Sequence, residues 1–326
     1  MAAASGLILI CRRGGAADFS FRQYHNQPTE SPLHKRLTEM WAAVNKETGG
    51  RVQTIVIPEN NHQKDGDPNP LDMLIHGEIE FYTLAGNGLA PLLPAADVQA
   101  TPYAFHNSAQ ALRAMDGDLG NYLREELKPK GIYAVPFGCF DNGIHQITGA
   151  TRPIRTAADL QGLKIRVPGT PLYQEFFKTF GAVPSGMNIN MLHDALKMGR
   201  VEAQEDPLDV AELFKLYEVQ KYMSITNHSW SGYNLLANLK MWQALPVDVR
   251  GVIERNTRKF TRLQRADGAR LNGVLRTELT QRGMVFNDAD ASSLRAPLGE
   301  FYARWKKSIG SQATSLLEAN VGRLGA

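Results

Sequence analysis

An α/β fold of two lobes is expected, and three features of the sequence carry that expectation. The chain has 326 residues, 43% hydrophobic and 21% charged, an ordinary globular composition with more chain than one small core needs. Its N-terminal part reads strand, helix, strand, a unit that implies parallel pairing. Further on, Val249 to about Arg282 is compatible with helix throughout and holds no proline. At 1.5 Å per residue that helix is about 50 Å long, too long for one lobe of this size and long enough to lie across two.

The first strand is Phe19–Tyr24, where Phe19, Phe21 and Gln23 alternate with Ser20, Arg22 and Tyr24. Ser31-Pro32 reads as helix cap and first helical residue. Leu33, Leu37, Met40, Trp41 and Val44 then share one face, and Gly49-Gly50 stops the helix. Val52–Ile57 is a β-branched strand closed by Pro58. A loop rich in Asn, Asp, Gly and Pro leads to a short helix, Leu71–His76, and a strand, Ile79–Leu84. Ala85-Gly86-Asn87-Gly88 follows at that strand's carboxyl end, where open α/β sheets collect ligands. Ile132–Pro136 and Lys164–Val167 are further strands, with a helical turn at Thr156–Leu160.

The formal net charge is +3, and no basic cluster interleaved with aromatics points to nucleic acid. No apolar run is long enough to span a bilayer. The longest, Ala2–Cys11, ends at Arg12-Arg13, and small residues at Gly15 and Ala17 suit cleavage after Ala17. Residues 1–17 are therefore expected to be an export leader, although no cation precedes the apolar run. Removing it takes Cys11, leaves Cys139 as the single cysteine and rules out an intrachain disulfide. The eight histidines show no His-Glu-x-x-His spacing and no cysteine partners, so no metal site and no cofactor are expected. No Gly-x-Ser-x-Gly elbow or Walker-type loop suggests an enzyme.

Two stretches point to recognition instead. One runs Asp141-Asn142-Gly143-Ile144-His145-Gln146, then Arg152-Pro153-Ile154, then Asp159-Leu160-Gln161-Gly162-Leu163-Lys164-Ile165-Arg166-Val167-Pro168. The other runs Ala195-Leu196-Lys197-Met198-Gly199-Arg200-Val201-Glu202-Ala203-Gln204-Glu205-Asp206-Pro207, then Tyr217-Glu218-Val219-Gln220-Lys221-Tyr222. In order and spacing they resemble the solute-binding subunits of TRAP transporters, the DctP family, from about Asp18 to the C-terminus. Pro102-Tyr103-Ala104-Phe105 adds to the likeness.

That resemblance implies a periplasmic-binding-protein-like fold with a ligand cleft between two lobes and a long helix spanning both. It implies lobe I from residues 18–142 plus 232–271 and lobe II from 143–231 plus 272–326. It also implies a periplasmic protein that takes up a small organic acid by hinged closure and delivers it to small and large membrane subunits. Arg166 matches the family's carboxylate-binding arginine, and a guanidinium suits that role because it gives two parallel donors and stays charged in a dry cleft. The sequence departs from the family where His145 replaces a second arginine, Asp206 replaces an asparagine, and Glu202-Ala203 replaces Asp-Gly. Losing a cation and gaining an acid favours a monocarboxylate with a hydroxyl, keto or amino group facing His145 and Asp206. Asn26 and Asn87, each after a strand, are expected donors to the ligand; Phe140 is an expected pocket wall. Asn190 lies near the cleft by register, and Trp230 and Tyr233 are placed to stack on a cyclic or aromatic acid. A secreted hydrolase or lyase on a similar scaffold is the alternative reading.

Overall fold

The computed structural model describes residues 17–62 and 67–325. All but the last residue of the expected leader lies outside them. The first parallel unit forms for the reasons its sequence gives. β1 (Phe19–His25) and β2 (Val52–Ile57) run parallel, with Phe19 opposite Val52. Between them α1 (Pro32–Glu47) starts where the Ser31 hydroxyl accepts the His34 N–H, and it buries Leu33, Leu37, Met40, Trp41 and Val44. α2 (Pro70–His76) ends at Gly77, whose φ of 78° suits a residue without Cβ. β3 (Phe81–Ala85) starts later than expected, because Gly77–Glu80 is a turn; Ile79 is nonetheless fully buried. α3 (Ser108–Asp116) and α4 (Asp118–Leu127) follow.

β4 differs most from the sequence reading. Expected to end at Pro136, it runs from Ile132 to Gly149. Three register shifts, between Ala134 and Cys139, between Asp141 and Gly143 and between His145 and Ile147, interrupt its pairing and hide the alternation that a strand normally shows. Gly143 sits at the second shift with φ of 121°, and a Cβ there would lie 3.2 Å from Pro207. No other residue fits that position without strain. After β4 come β5 (Lys164–Val167), α5 (Pro171–Lys178), β6 (Val183–Gly186), α6 (Leu192–Lys197), β7 (Ala203–Pro207) and α7 (Leu208–Leu213). β8 (Tyr222–Asn238) then returns antiparallel to β4 along nearly its whole length. The described strands join in one sheet, in the order β2-β1-β3-β8-β4-β7-β5-β6, with β9 (Val285–Asp288) alongside β8. β4 and β8 are the two strands that cross from one half of this sheet to the other, giving a mixed α/β fold of two lobes.

α8 (Leu239–Ala244) leads to α9 (Val247–Gln281), the long helix that the sequence predicted. Its Val249, Ile253 and Phe260 pack with Leu33 and Trp41, whereas Leu279 packs with Ile189, Leu192 and Leu216 on the far side. Its middle is pinned to β4. Gln264 accepts the Asp141 N–H at 2.9 Å and donates to the Asp141 carbonyl at 2.7 Å. Arg265 donates to the Cys139 carbonyl and makes two bonds to the Asp116 carboxylate. Three further helices, α10 (Ala291–Arg295), α11 (Gly299–Ile309) and α12 (Ser311–Val321), complete the chain. No helix among the described residues is long and apolar enough to cross a membrane.

Candidate ligand-binding cleft

Strand ends from both halves of the sheet converge on a cavity of about 320 Å³. The turn after β1 delivers Asn26 and Gln27 to it, the turn after β3 delivers Asn87, and β8 delivers Ser231 and Tyr233. From the other half, β5 delivers Arg166, β7 delivers Asp206, and the segment after β6 delivers Met187, Asn188 and Ile189. Gly86 sets the Asn87 turn, because a Cβ there would overlap the Gln99 amide at 2.2 Å.

Arg166 is buried, and its hydrogen bonds can be counted. Its Nε and Nη2 donate to the Met187 carbonyl at 3.1 and 2.8 Å, and its Nη1 donates to Asp206 Oδ2 at 2.8 Å. A guanidinium has five N–H groups, so one remains on each terminal nitrogen. Asp206 is buried too, and its Oδ1 has no hydrogen-bond partner among the described residues. Burial pushes the Asp206 carboxyl up to about 6, although Arg166 beside it pulls the other way. Arg166 and Asp206 are the only Lys, Arg, Asp or Glu side chains lining the cavity among the described residues. Seven side-chain amides line it as well, those of Asn26, Gln27, Asn60, Asn69, Asn87, Asn142 and Asn188.

His145 forms part of the wall but has no nitrogen to spare. Asn142 Nδ2 donates to Ser231 Oγ at 2.7 Å, leaving the Ser231 hydroxyl to donate to His145 Nε2 at 2.7 Å. His145 Nδ1–H then donates to Glu205 Oε2 at 2.5 Å. The same oxygen accepts from His228 Nε2 at 3.1 Å, while Thr226 bonds His228 Nδ1 at 2.8 Å. Every bond in this chain is satisfied with both imidazoles neutral. Burial agrees, lowering His145 to about 4 and lowering His228. Burial also raises Glu205, against the pull of the His228 hydrogen bond. His145, Glu205 and His228 present three ligand atoms close enough for a metal ion. Their mutual bonds already account for the neutral imidazoles.

Six of the nine residues singled out from the sequence line the cavity: Arg166, His145, Asp206, Asn87, Asn26 and Tyr233. The expected wall at Phe140 is a correction, since the register of β4 turns that side chain fully into the core with Phe21, Trp41 and Phe81. Trp230 is corrected likewise. It is buried edge-on against Phe105, and its Nε1 donates to Asp141 Oδ1 at 2.9 Å. Asn190 is exposed outside the cavity, where its amide donates to the Glu59 carbonyl at 3.2 Å and ties the two halves together at the rim. Tyr233 stays at the cleft, its hydroxyl accepting from Gln27 Nε2 at 2.7 Å. The sequence reading missed Gln27, Asn142, Ser231, Glu205 and His228. Asn142 and Glu205 lie inside the stretches it singled out; for Ser231 and His228 the only signal was a polar residue on a strand that is otherwise buried, and for Gln27 a polar residue in the turn after a strand.

The sequence model of the family described as "DctP: Bacterial extracellular solute-binding protein, family 7" matches residues 24–308. The chain belongs to this family. It is 29% identical over 224 residues to the 2,3-diketo-L-gulonate-binding periplasmic protein of Escherichia coli K12, covering 68% of each chain. It is 27% identical over 286 residues to the C4-dicarboxylate-binding periplasmic protein of Rhodobacter capsulatus, covering 87% of this chain and 82% of that one. Among solved structures it superposes on a TRAP periplasmic solute-binding protein from Sulfitobacter sp. NAS-14.1 with bound β-D-galacturonate. The TM-score is 0.87, with 22% identity and coverage of 93% of this chain and 99% of that one. A counterpart from Polaromonas sp. JS666 bound to D-erythronate gives a TM-score of 0.86, 25% identity and coverage of 92% and 98%. This DctP-family chain thus shares its fold with TRAP solute-binding proteins, and the hydrolase or lyase alternative finds no support among these relatives.

Proposed function

We propose that this chain is the extracytoplasmic solute-binding subunit of a TRAP transporter and captures a small hydroxylated monocarboxylate in the cleft around Arg166. The observation that carries this reading is the state of Arg166: buried, held by Met187 and Asp206, lining the cavity, and left with one unused N–H on each terminal nitrogen. Two such donors match the two oxygens of one carboxylate. A second cation for a dicarboxylate is missing from the lining among the described residues, and amides that bond hydroxyls take its place. The volume is at the small end of ligand cavities and suits a metabolite such as a sugar acid. Solved relatives hold acids of this kind, D-erythronate and the β-D-galacturonate above, although another holds succinate.

Residues 18–142 with 232–271 form one moving lobe in this reading, and 143–231 with 272–326 the other. An acid that touches both lobes shifts the population toward the closed form, which docks on the membrane subunits from the periplasmic side. The protein binds and releases its acid without converting it.

A thermal-shift panel of D-glucuronate, D-galacturonate, D-erythronate, pantoate and succinate tests the reading. The hydroxylated monoacids should raise the melting temperature more than succinate, and Arg166→Ala should abolish the shift. An unchanged shift in that variant, or succinate as the strongest binder, refutes the assignment.

A further inference from the structure

We infer that an anionic ligand enters this cleft together with one proton, which lodges on Asp206. The inference rests on the carboxylate-binding reading above and adds to it who neutralises the second negative charge. Asp206 and a bound carboxylate would share one guanidinium: Asp206 Oδ2 takes one Nη1–H at 2.8 Å, and the ligand takes the remaining hydrogen on each terminal nitrogen. Two carboxylates on one buried cation carry one negative charge too many, the arrangement in which carboxylate pairs hold a proton between them. The groups facing Asp206 leave it as the acceptor of that proton. Arg166 on β5 stays charged. His145 on β4 has both nitrogens committed. Glu205, next along β7, has Oε2 occupied by His145 and His228, and its Oε1 is sealed from solvent. Tyr173 on α5 and Tyr233 on β8 are neutral, their hydroxyls pushed well up by burial. Asp209 on α7, whose carboxyl burial also pushes up to about 7, accepts from the Val210 N–H and is not among the residues lining the cavity.

Oδ1 of Asp206 is the atom left over, without a partner among the described residues and beside the cavity. Protonated there, the side chain stops repelling the ligand and becomes a donor to one of its oxygens, while Oδ2 keeps its bond to Arg166. The balance is one ligand anion and one proton from solvent bound per protein. No bond breaks and no further reactant is needed. The free carboxyl already sits near 6, so uptake should be absent at pH 5 and nearly complete around pH 7.5. The ligand's apparent Kd then rises up to about tenfold per pH unit above that point.

Calorimetry with D-glucuronate at pH 7.5, in phosphate and in Tris, reads the proton stoichiometry from the difference in heat. Acetate at high concentration serves as the simplest second probe. Expected is an uptake of about one proton in the wild type and none in Asp206→Asn, whose amide keeps the donor and should bind with a Kd independent of pH from 6 to 8. Binding with no proton uptake, or uptake that persists in Asp206→Asn, overturns the inference and leaves the carboxylate-binding reading intact. If neither acid nor any of the panel above binds, both fall. If Asp206→Asn does not fold, the carbon-13 shift of the Asp206 carboxyl in the wild type decides. It should move to the protonated value on adding acid at pH 7.5, and a carboxyl that stays ionised overturns the inference.

Discussion

Arg166 with Asp206, and Glu205 with His145 and His228, are neighbouring buried groups on β4, β5, β7 and β8, yet they spend their hydrogen bonds differently. In the first, two N–H groups and one carboxylate oxygen have no partner among the described residues, and both side chains line a cavity. In the second, the imidazole nitrogens are all consumed within the protein, and the remaining Glu205 Oε1 is sealed from solvent. Burial of charge is common to both. What separates the two groups is whether unused valences remain on side chains that line a cavity.

The largest expected effect breaks the first group. Arg166→Ala should weaken binding of the preferred acid by about a hundredfold, the scale of about 3 kcal/mol for charge-assisted hydrogen bonds, read by calorimetry. The second group should respond to acid instead. His145 is held at about 4 in the fold against 6.5 unfolded, so the unfolded chain binds more protons between those values. Stability present above pH 6.5 is therefore lost as pH falls toward 4, by up to about 3 kcal/mol for this residue. Melting curves across that window check it, and His145→Gln should flatten the slope. Glu205→Gln keeps one oxygen for both imidazoles but removes the charge they bond and puts an unpartnered amide NH2 in the buried place of Oε1, and should destabilise by about 1–3 kcal/mol in denaturant unfolding, with little change in affinity at pH 7. A hundredfold affinity loss in Glu205→Gln would erase the distinction between the two groups.

The smallest effect has the opposite sign. The carboxyl of Asp206 is raised by burial, so the ligand-free fold prefers it neutral and gains stability from it as pH falls from about 6 toward 4. Asp206→Asn should stabilise the ligand-free protein at pH 7 by about 1 kcal/mol, and the gain should disappear by pH 4. Thermal melts at the two pH values read it directly.

The sequence showed the parts whose periodicity is clean. Alternation in β1, the five apolar positions of α1 and the proline-free run of α9 all mark elements with one wet face and one dry face. β4 and β8 escaped because they are buried on both sides at the crossing and interrupted by register shifts, so polar residues such as Asp141, Asn142 and His145 sit inside a strand without betraying its faces. The cleft followed the same division. The linked motifs singled out Arg166 and Asp206, but which nitrogens of His145 are free depends on Ser231 and Glu205, and these meet it only after folding. Phe140 and Trp230 were misplaced for a related reason: each looks inward or outward only once the register of β4 against β8 is fixed.

α9 carries a consequence for motion. A single stiff rod rests on both sides of the molecule and is fastened to β4 at Gln264 and Arg265, close to its midpoint. That fastening acts as a fulcrum. Rocking of one side against the other must either swing the two ends of the rod in opposite directions or bend it just past the fastening, where Gly268 and Gly273 offer the least resistance. Replacing both glycines with alanine would stiffen the rod and slow the rocking without touching any group that meets the ligand.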